Sequence, residues 1–155
     1  MNFSEFEKNI SVDFADKTLL KQAFTHRSYL NENRKTNLAH NERLEFLGDA
    51  VLELIVTAHL YEKYPDYNEG EMTSLRSALV NANTMAEAAS KIRMNDFMLL
   101  SRGEAKDTGR ARQYILANAI EALIGAIFID RGYKVAEKFV GENLFPLLPK
   151  IIKEG

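Results

Sequence analysis

Four carboxylates follow one another along a single predicted helix, at a spacing that stacks them on one face. A helical period over residues 42–63 places Glu42, Glu45, Asp49 and Glu53 three or four residues apart. Like charges at this spacing repel by roughly a few tenths of a kcal/mol per pair. A solvated acidic face would explain the pattern. However, apolar residues at 52 and 56 lie on the same side, which indicates that this helix is buried almost all round.

A further carboxylate stands alone in a second, strongly apolar predicted helix. Glu121 is the only charged residue from Tyr114 to Ile129, with Asn118 one turn before it and Gly125 one turn after it. A buried carboxylate must find a partner, shift its pKa or bind a metal ion. A neutral buried glutamate, or one paired with an arginine from elsewhere, would also satisfy this pattern.

Two glycines indicate how the acids of the two helices could meet. Gly48 and Gly125 each lie in mid-helix, where glycine costs about 1 kcal/mol relative to alanine. A close crossing of the helices at these glycines would justify that cost. The crossing would also bring together three carboxylates and one amide, from Glu45, Asp49, Asn118 and Glu121. These are hard oxygen ligands that suit Mg²⁺ or Mn²⁺, and such a cation can activate water and stabilise charge at a phosphate.

The composition excludes several other kinds of chemistry. The 155 residues contain no cysteine, so thiolate zinc sites, cysteine nucleophiles and disulfides are excluded. The histidines at 26, 40 and 59 lie on scattered segments, where a structural role is favoured, and no phosphate-binding glycine-rich loop or other organic-cofactor motif is present. The net charge of −2 provides no general basic field, so nucleic acid would have to bind at a local patch.

Helical periodicity dominates the chain and predicts a single all-α domain with two central helices that carry the acidic site. The longest nearly apolar run, 119–129, is 11 residues long and too short to span a membrane, and the acidic start of the chain does not resemble a signal peptide. We therefore expect a cytoplasmic protein without membrane contact. The first predicted helix has Asp16 as its N-cap and continues to about Phe24. Further helices are predicted at 42–63, 71–79, 85–92, 111–129 and 135–144, and polar loops at 31–41 and 101–109.

The residues around the first acidic helix resemble the signature of the ribonuclease III family. The stretch 40–52 reads HNERLEFLGDAVL, and three further pieces match in order: FTHRSY at 24–29, NEGEM at 68–72 and ILANAIEALIG at 115–125. The resemblance implies an all-α endonuclease domain that dimerises and cleaves double-stranded RNA with Mg²⁺, with Mn²⁺ as a substitute. It also implies staggered cuts with two-nucleotide 3′ overhangs, 5′-phosphate and 3′-hydroxyl ends, and a role in rRNA or mRNA processing.

The same resemblance assigns roles to individual residues. Glu45, Asp49 and Glu121 match the metal-binding carboxylates of the family, and Asn118 takes the position where the family commonly has aspartate. Two further acids, Glu42 and Glu69, match residues that support the site or lie near the RNA. Phe46, which points away from the predicted core stripe, matches an aromatic that inserts into a socket on the partner subunit. The stripe itself is formed by Leu44, Leu47, Val51, Leu54, Ile55 and Ala58.

Asn118 leaves a second interpretation open. An amide can still offer an oxygen to a cation but contributes no charge, so the departure could be natural variation, an engineered change or the decay of a catalytic site. In the last case the chain would be a non-catalytic RNA-binding or ribosome-associated module that retains the fold. The other four acids that match the family, Glu42, Glu45, Asp49 and Glu121, are intact, which argues against the decay of a catalytic site. A helical dimerisation domain without any RNA role would leave Glu121 unexplained.

The resemblance also implies the limits of the domain, and the basic residues of the chain predict a weak RNA footprint. We expect residues 1–148 to form the catalytic domain and 149–155 to begin the linker that in this family usually leads to a double-stranded-RNA-binding domain, and we expect no such domain within these 155 residues. A local footprint is predicted just before the second acidic helix, although each cation could equally be a solvated surface charge. Its members are Arg102, Lys106, Arg110 and Arg112, with Arg27 and Arg76 as lesser candidates.

Overall fold

The computed structural model describes residues 2–154, and the regular structure in this range is helical apart from one isolated bridge between Thr25 and Leu99. The predicted all-α class is therefore confirmed. The helices are α1 Ser4–Ile10, α2 Lys17–Ala23, α3 Arg27–Glu32, α4 Glu42–Lys63, α5 Glu69–Val80, α6 Ala82–Lys91, α7 Arg102–Lys106, α8 Arg110–Arg131, α9 Tyr133–Asn143 and α10 Leu148–Glu154. Short 3₁₀ helices occupy Met94–Phe97 and Phe145–Leu147.

Helix α8 forms the centre of the fold. It packs against α4, α6, α9 and α2, and between residues 115 and 127 every residue except Asn118 and Glu121 is buried. By length and composition this helix could cross a membrane, but its most apolar window is already 61% buried inside the protein, as expected for a core helix. The apolar character of the sequence around Glu121 is thus explained by the central position of α8.

Helices α4 and α8 cross in direct backbone contact at the two glycines, as predicted. A methyl group added to Gly48 would lie 2.7 Å from the carbonyl carbon of Glu121 and 2.9 Å from the nitrogen of Gly125. A methyl group on Gly125 would lie 3.0 Å from the nitrogen of Gly48 and 3.2 Å from the carbonyl carbon of Leu44. Any residue larger than glycine at these positions would force the helices apart.

The buried face of α4 differs from the predicted stripe. Leu54 is 58% exposed and Ala58 is also exposed, whereas Leu52 and Val56 are fully buried. The core face is centred on Gly48 because this is where α8 makes its closest approach, and the face is therefore rotated toward the acidic residues. This rotation places Glu45 at the edge of the core.

Several boundaries also differ from the prediction. Residues 101–109 are not a continuous loop but contain helix α7, and helices α1 and α3 lie in segments for which no helix was predicted. Residues 149–154, expected to begin a linker, belong to helix α10, which packs against α5. The predicted N-cap at Asp16 is confirmed, since its side chain accepts hydrogen bonds from Thr18 and Leu19 backbone N–H groups.

Candidate functional site

Three carboxylates gather where α4 crosses α8. Glu45 and Asp49 lie on either side of Gly48 along α4, and the glycine faces the backbone of Glu121 on α8. Glu45 and Glu121 are half-buried and Asp49 is exposed, so the cluster opens to solvent on one side. A site of this kind is accessible to a ligand while its inner acids are partly removed from water.

The electrostatics of Glu121 reflect this crowding. Its pKa is raised to about 8, first by burial, then by sharing a proton with the Asp49 carboxylate, and then by the negative charges of Asp49 and Glu45. Within residues 2–154 no lysine or arginine is paired with Glu121, which excludes the interpretation of a buried acid satisfied by an ion pair. Near neutral pH, a proton therefore partly offsets the excess negative charge at Glu121.

Glu45 experiences the same surroundings more weakly. Burial raises the pKa of its carboxyl, and the charges of Glu42 and Asp49 raise it further. Among residues 2–154, no three histidine or acidic side chains are already close enough together to hold a metal ion. A divalent cation would relieve this repulsion, and the donor set, which is rich in carboxylate oxygens and lacks thiolate or imidazole, fits Mg²⁺ or Mn²⁺.

Asn118 and Glu42 lie at the edges of this cluster. Asn118 is half-buried one turn before Glu121 on α8, on the same side of the helix. Glu42, by contrast, already has partners: Arg27 lies 3.5 Å and His40 3.3 Å from its carboxylate oxygens. Its negative charge acts on Glu45 across one helical turn, so Glu42 supports the cluster from outside.

Glu69 lies apart from the other acids. It begins α5 and lines a groove with Thr57, Tyr61 and Arg76, next to the second half of α4. Thr57 lies eight residues beyond Asp49, which corresponds to about 12 Å along a helix. Within a single chain, the structure therefore does not bring Glu69 together with Glu45, Asp49 and Glu121.

An exposed apolar stripe runs along α4 beside the acidic cluster. Phe46 is 84% exposed, as its predicted off-core position required, and Leu54 and Tyr61 continue the stripe at helical spacing. Large exposed apolar patches of this kind mark interaction surfaces. Of these three residues, only Phe46 was predicted from the sequence to lie outside the core, because Leu54 was assigned to the core stripe. The position of Gly48, which marks the face of α4 that meets α8, could have shown that Leu54 lies outside this face.

The predicted basic footprint is only partly at the surface. Arg102, Lys106 and Arg110 are exposed. Arg112, however, is buried, at 8% exposure, and its guanidinium donates hydrogen bonds to Asn95 and to backbone carbonyls of α7. The prediction that Arg112 contacts RNA is therefore wrong, because its donors point into the protein.

The lesser candidates Arg27 and Arg76 also have acidic partners. Arg27 faces Glu42, and Arg76 lies 3.7 Å from Glu53 and donates to the Thr57 hydroxyl. Both side chains thus contribute to the local balance of charge around α4. They add little free positive charge to the surface.

A family model described as ribonuclease-III-like matches residues 16–148. The chain belongs to this family. The match covers α2 through to the start of α10, and so includes both helices of the acidic crossing and all the residues of the cluster. The resemblance inferred from the signature at 40–52 is confirmed.

Individual relatives agree with this ribonuclease-III-like assignment. The chain is 46% identical over 144 residues to Ribonuclease 3 of Listeria welshimeri, and 45% identical over 148 residues to Ribonuclease 3 of Oceanobacillus iheyensis. These alignments cover 93% and 96% of this chain but 63% and 65% of the relatives. The ribonuclease-III-like chain thus spans somewhat less than two thirds of the length of these proteins.

Solved structures give the same result for the fold. The nuclease domain of ribonuclease III from Campylobacter jejuni superimposes with a TM-score of 0.82 and 38% identity, over 94% of this chain and 99% of that domain. That domain is described as flexible in a region involved in dimer formation. Dicer from Pichia stipitis matches with a TM-score of 0.63 and 28% identity, over 90% of this chain and 57% of its own.

Proposed function

We propose that this chain is the catalytic unit of a Mg²⁺-dependent endoribonuclease that cleaves double-stranded RNA as a homodimer, with one strand cut by each subunit. The observation that carries the proposal is the carboxylate cluster at the α4–α8 crossing. There, burial and the neighbouring carboxylates raise the pKa of the half-buried Glu121 to about 8, and no lysine or arginine of residues 2–154 is paired with it. A fold that needed Glu121 only for packing would not place Glu45 and Asp49 beside it.

The residues in and around the cluster would have different roles. Glu45, Asp49 and Glu121 would hold the cation through their carboxylate oxygens, and Asn118 would offer its amide oxygen directly or through a water molecule. When bound, the cation would supply a Lewis acid that activates water and stabilises charge at phosphorus. Glu42 would stay with Arg27 and His40 and add negative potential, while Glu69 would act near the RNA from a separate surface.

Substrate recognition would depend on shape and on a local patch of charge. Double-stranded RNA is recognised mainly through its A-form geometry, its phosphates and its 2′-hydroxyls. The exposed Arg102 and Lys106 lie on α7, and the exposed Arg110 begins α8, the helix that carries Asn118 and Glu121. From there they would contact phosphates beside the cut. Two subunits paired through the Phe46 stripe would place two acidic clusters on one duplex. Staggered cuts with two-nucleotide 3′ overhangs, 5′-phosphate and 3′-hydroxyl ends would result.

A cleavage assay tests the proposal directly. Perfect duplex RNA is incubated with the protein at low salt, with Mg²⁺ or Mn²⁺ or with chelator. Glu121→Gln, which keeps the size of the side chain but cannot ionise to a carboxylate for the cation, should abolish cutting. The matched control Glu137→Gln, at an exposed position of α9, should cut like the parent.

Two results would count against the proposal. Full activity of Glu121→Gln would exclude Glu121 from the site. If the parent binds the duplex but never cuts it with either metal, the non-catalytic RNA-binding module suggested by Asn118 would be the better interpretation. An Asn118→Asp variant that then restores cutting would identify the amide as the cause.

A further inference from the structure

Helix α7 is too short to be stable by itself, so its position depends on contacts with other parts of the protein. It has five residues, Arg102–Lys106, whereas isolated helices of fewer than about 12 residues are marginal in water. None of its residues is fully buried. The orientation of its exposed Arg102 and Lys106 must therefore be set by contacts with the rest of the protein.

The carboxyl end of α7 is held by Arg112. The Nη2 atom of Arg112 donates to the carbonyl oxygens of Glu104 at 2.9 Å and Ala105 at 3.0 Å, and its Nη1 atom donates to Asn95 Oδ1 at 2.6 Å. These carbonyls carry the negative end of the helix dipole, which suits a guanidinium. No carboxylate within residues 2–154 forms an ion pair with Arg112, so α7 and Asn95 provide its main compensation.

The amino end of α7 is held by α3. The Ser101 backbone N–H donates to the Ser28 hydroxyl at 2.9 Å, and the Arg102 backbone N–H donates to the Glu32 carboxylate at 3.0 Å. The segment just before α7 is also tied to α3, because the His26 N–H donates to the Leu99 carbonyl. Both ends of α7 are thus attached by side chains that lie outside it.

We propose that Arg112 is a positioning residue for RNA binding, which fixes α7 so that Arg102 and Lys106 meet RNA phosphates at a set distance from the acidic cluster. Arg112 lies six residues before Asn118 on the same rigid helix, about 9 Å along the axis. The anchor therefore links the basic segment to the acids through α8 itself. The inference rests on the proposed function, since it assumes that the substrate is a duplex RNA.

The test measures RNA binding and its salt dependence together with cleavage. Arg112→Met should raise KM roughly five- to tenfold and leave kcat within about threefold, because the acids are unchanged. The slope of log Kd against log salt concentration should become shallower by an amount that corresponds to the loss of roughly one to two phosphate contacts. The control Arg131→Met removes another α8 arginine that donates to a backbone carbonyl, that of Asp13, and should leave RNA binding unchanged.

A purely structural arginine is distinguished by a double-mutant comparison. Arg102→Gln together with Lys106→Gln should weaken binding in the parent but have little further effect in the Arg112→Met background. Equal effects in both backgrounds would overturn the proposal. Normal RNA cleavage by the variant that carries both Arg102→Gln and Lys106→Gln would also overturn the proposal, but it would leave the proposed nuclease function standing.

Glu32 provides a second test if Arg112→Met does not fold. Glu32→Ala removes a negative charge, which should strengthen RNA binding if the residue has no anchoring role. It also releases the amino end of α7, so the anchor predicts weaker binding. Glu32→Gln, which keeps an oxygen acceptor for Arg102, should restore binding. Tighter binding by Glu32→Ala would refute the anchor, and a parent that neither binds nor cuts duplex RNA would refute the proposed function itself.

Discussion

Replacing Gly48 by alanine should separate the two helices on which the acidic cluster depends. The added methyl carbon would lie 2.7 Å from the Glu121 carbonyl carbon, short of the 3.4 Å at which ordinary contact begins, and closer still to the carbonyl oxygen. These are backbone atoms in mid-helix and cannot rotate away. The helices would have to move apart by roughly 1 Å, at a cost of about 3 kcal/mol, the upper part of the usual range for overpacking.

This displacement should affect both stability and cation binding. For a chain of 155 residues, a loss of about 3 kcal/mol corresponds to a fall in Tm of roughly 6–12 °C. Coordination distances tolerate only about 0.2 Å, so the shift of Glu121 away from Asp49 should also weaken the response to metal. Thermal unfolding with and without Mn²⁺ measures both effects, since a bound ligand raises the Tm of the native state.

Gly141→Ala provides the matched control. Gly141 lies inside helix α9, and its added methyl group would be 3.7 Å from the Phe145 ring, which is ordinary contact. This variant should gain about 0.5–1 kcal/mol from helix propensity and respond to Mn²⁺ like the parent. If Gly48→Ala were as stable and as responsive to metal as Gly141→Ala, the close crossing could not be what assembles the site.

Three further predictions concern the stripe, the shared proton and the amide. Phe46→Ala should weaken the dimer at least about tenfold in sedimentation, because a large apolar contact is lost, and an unchanged dimer would place the interface elsewhere. Because the pKa of Glu121 is about 8 in the folded protein and its ordinary value, expected in the unfolded chain, is near 4.5, the metal-free protein should lose stability as pH rises from about 4.5 through 8. Glu121→Gln should remove this loss in unfolding experiments with chelator, and a persisting loss would mean that another group titrates. Asn118→Asp should lower the Mg²⁺ concentration needed for half-maximal cutting, because it adds a charge; a collapse of activity would give Asn118 a different role.

Much of the molecule could be predicted from local sequence patterns. Helix α4 begins and ends at the predicted residues, since a long apolar period and Pro65 define it without reference to the rest of the chain. The crossing at Gly48 and Gly125 could be inferred because mid-helix glycine is unfavourable unless another backbone needs the space. The isolation of Glu121 in an apolar helix likewise pointed to a special environment.

The remaining features depended on contacts between distant segments. Leu54 was assigned to the core and Arg112 to the surface, because a helical wheel gives relative angles but not the direction of the nearest neighbour. Helix α7 was missed since α3 and Arg112 hold it from outside and its own five residues carry no helical period. The sequence by itself thus determined the helices, the acids and the glycines, through local spacing and side-chain chemistry. Only the tertiary structure decided which faces are buried and where the cations are held, because those outcomes depend on hydrogen bonds and packing between residues far apart in the chain.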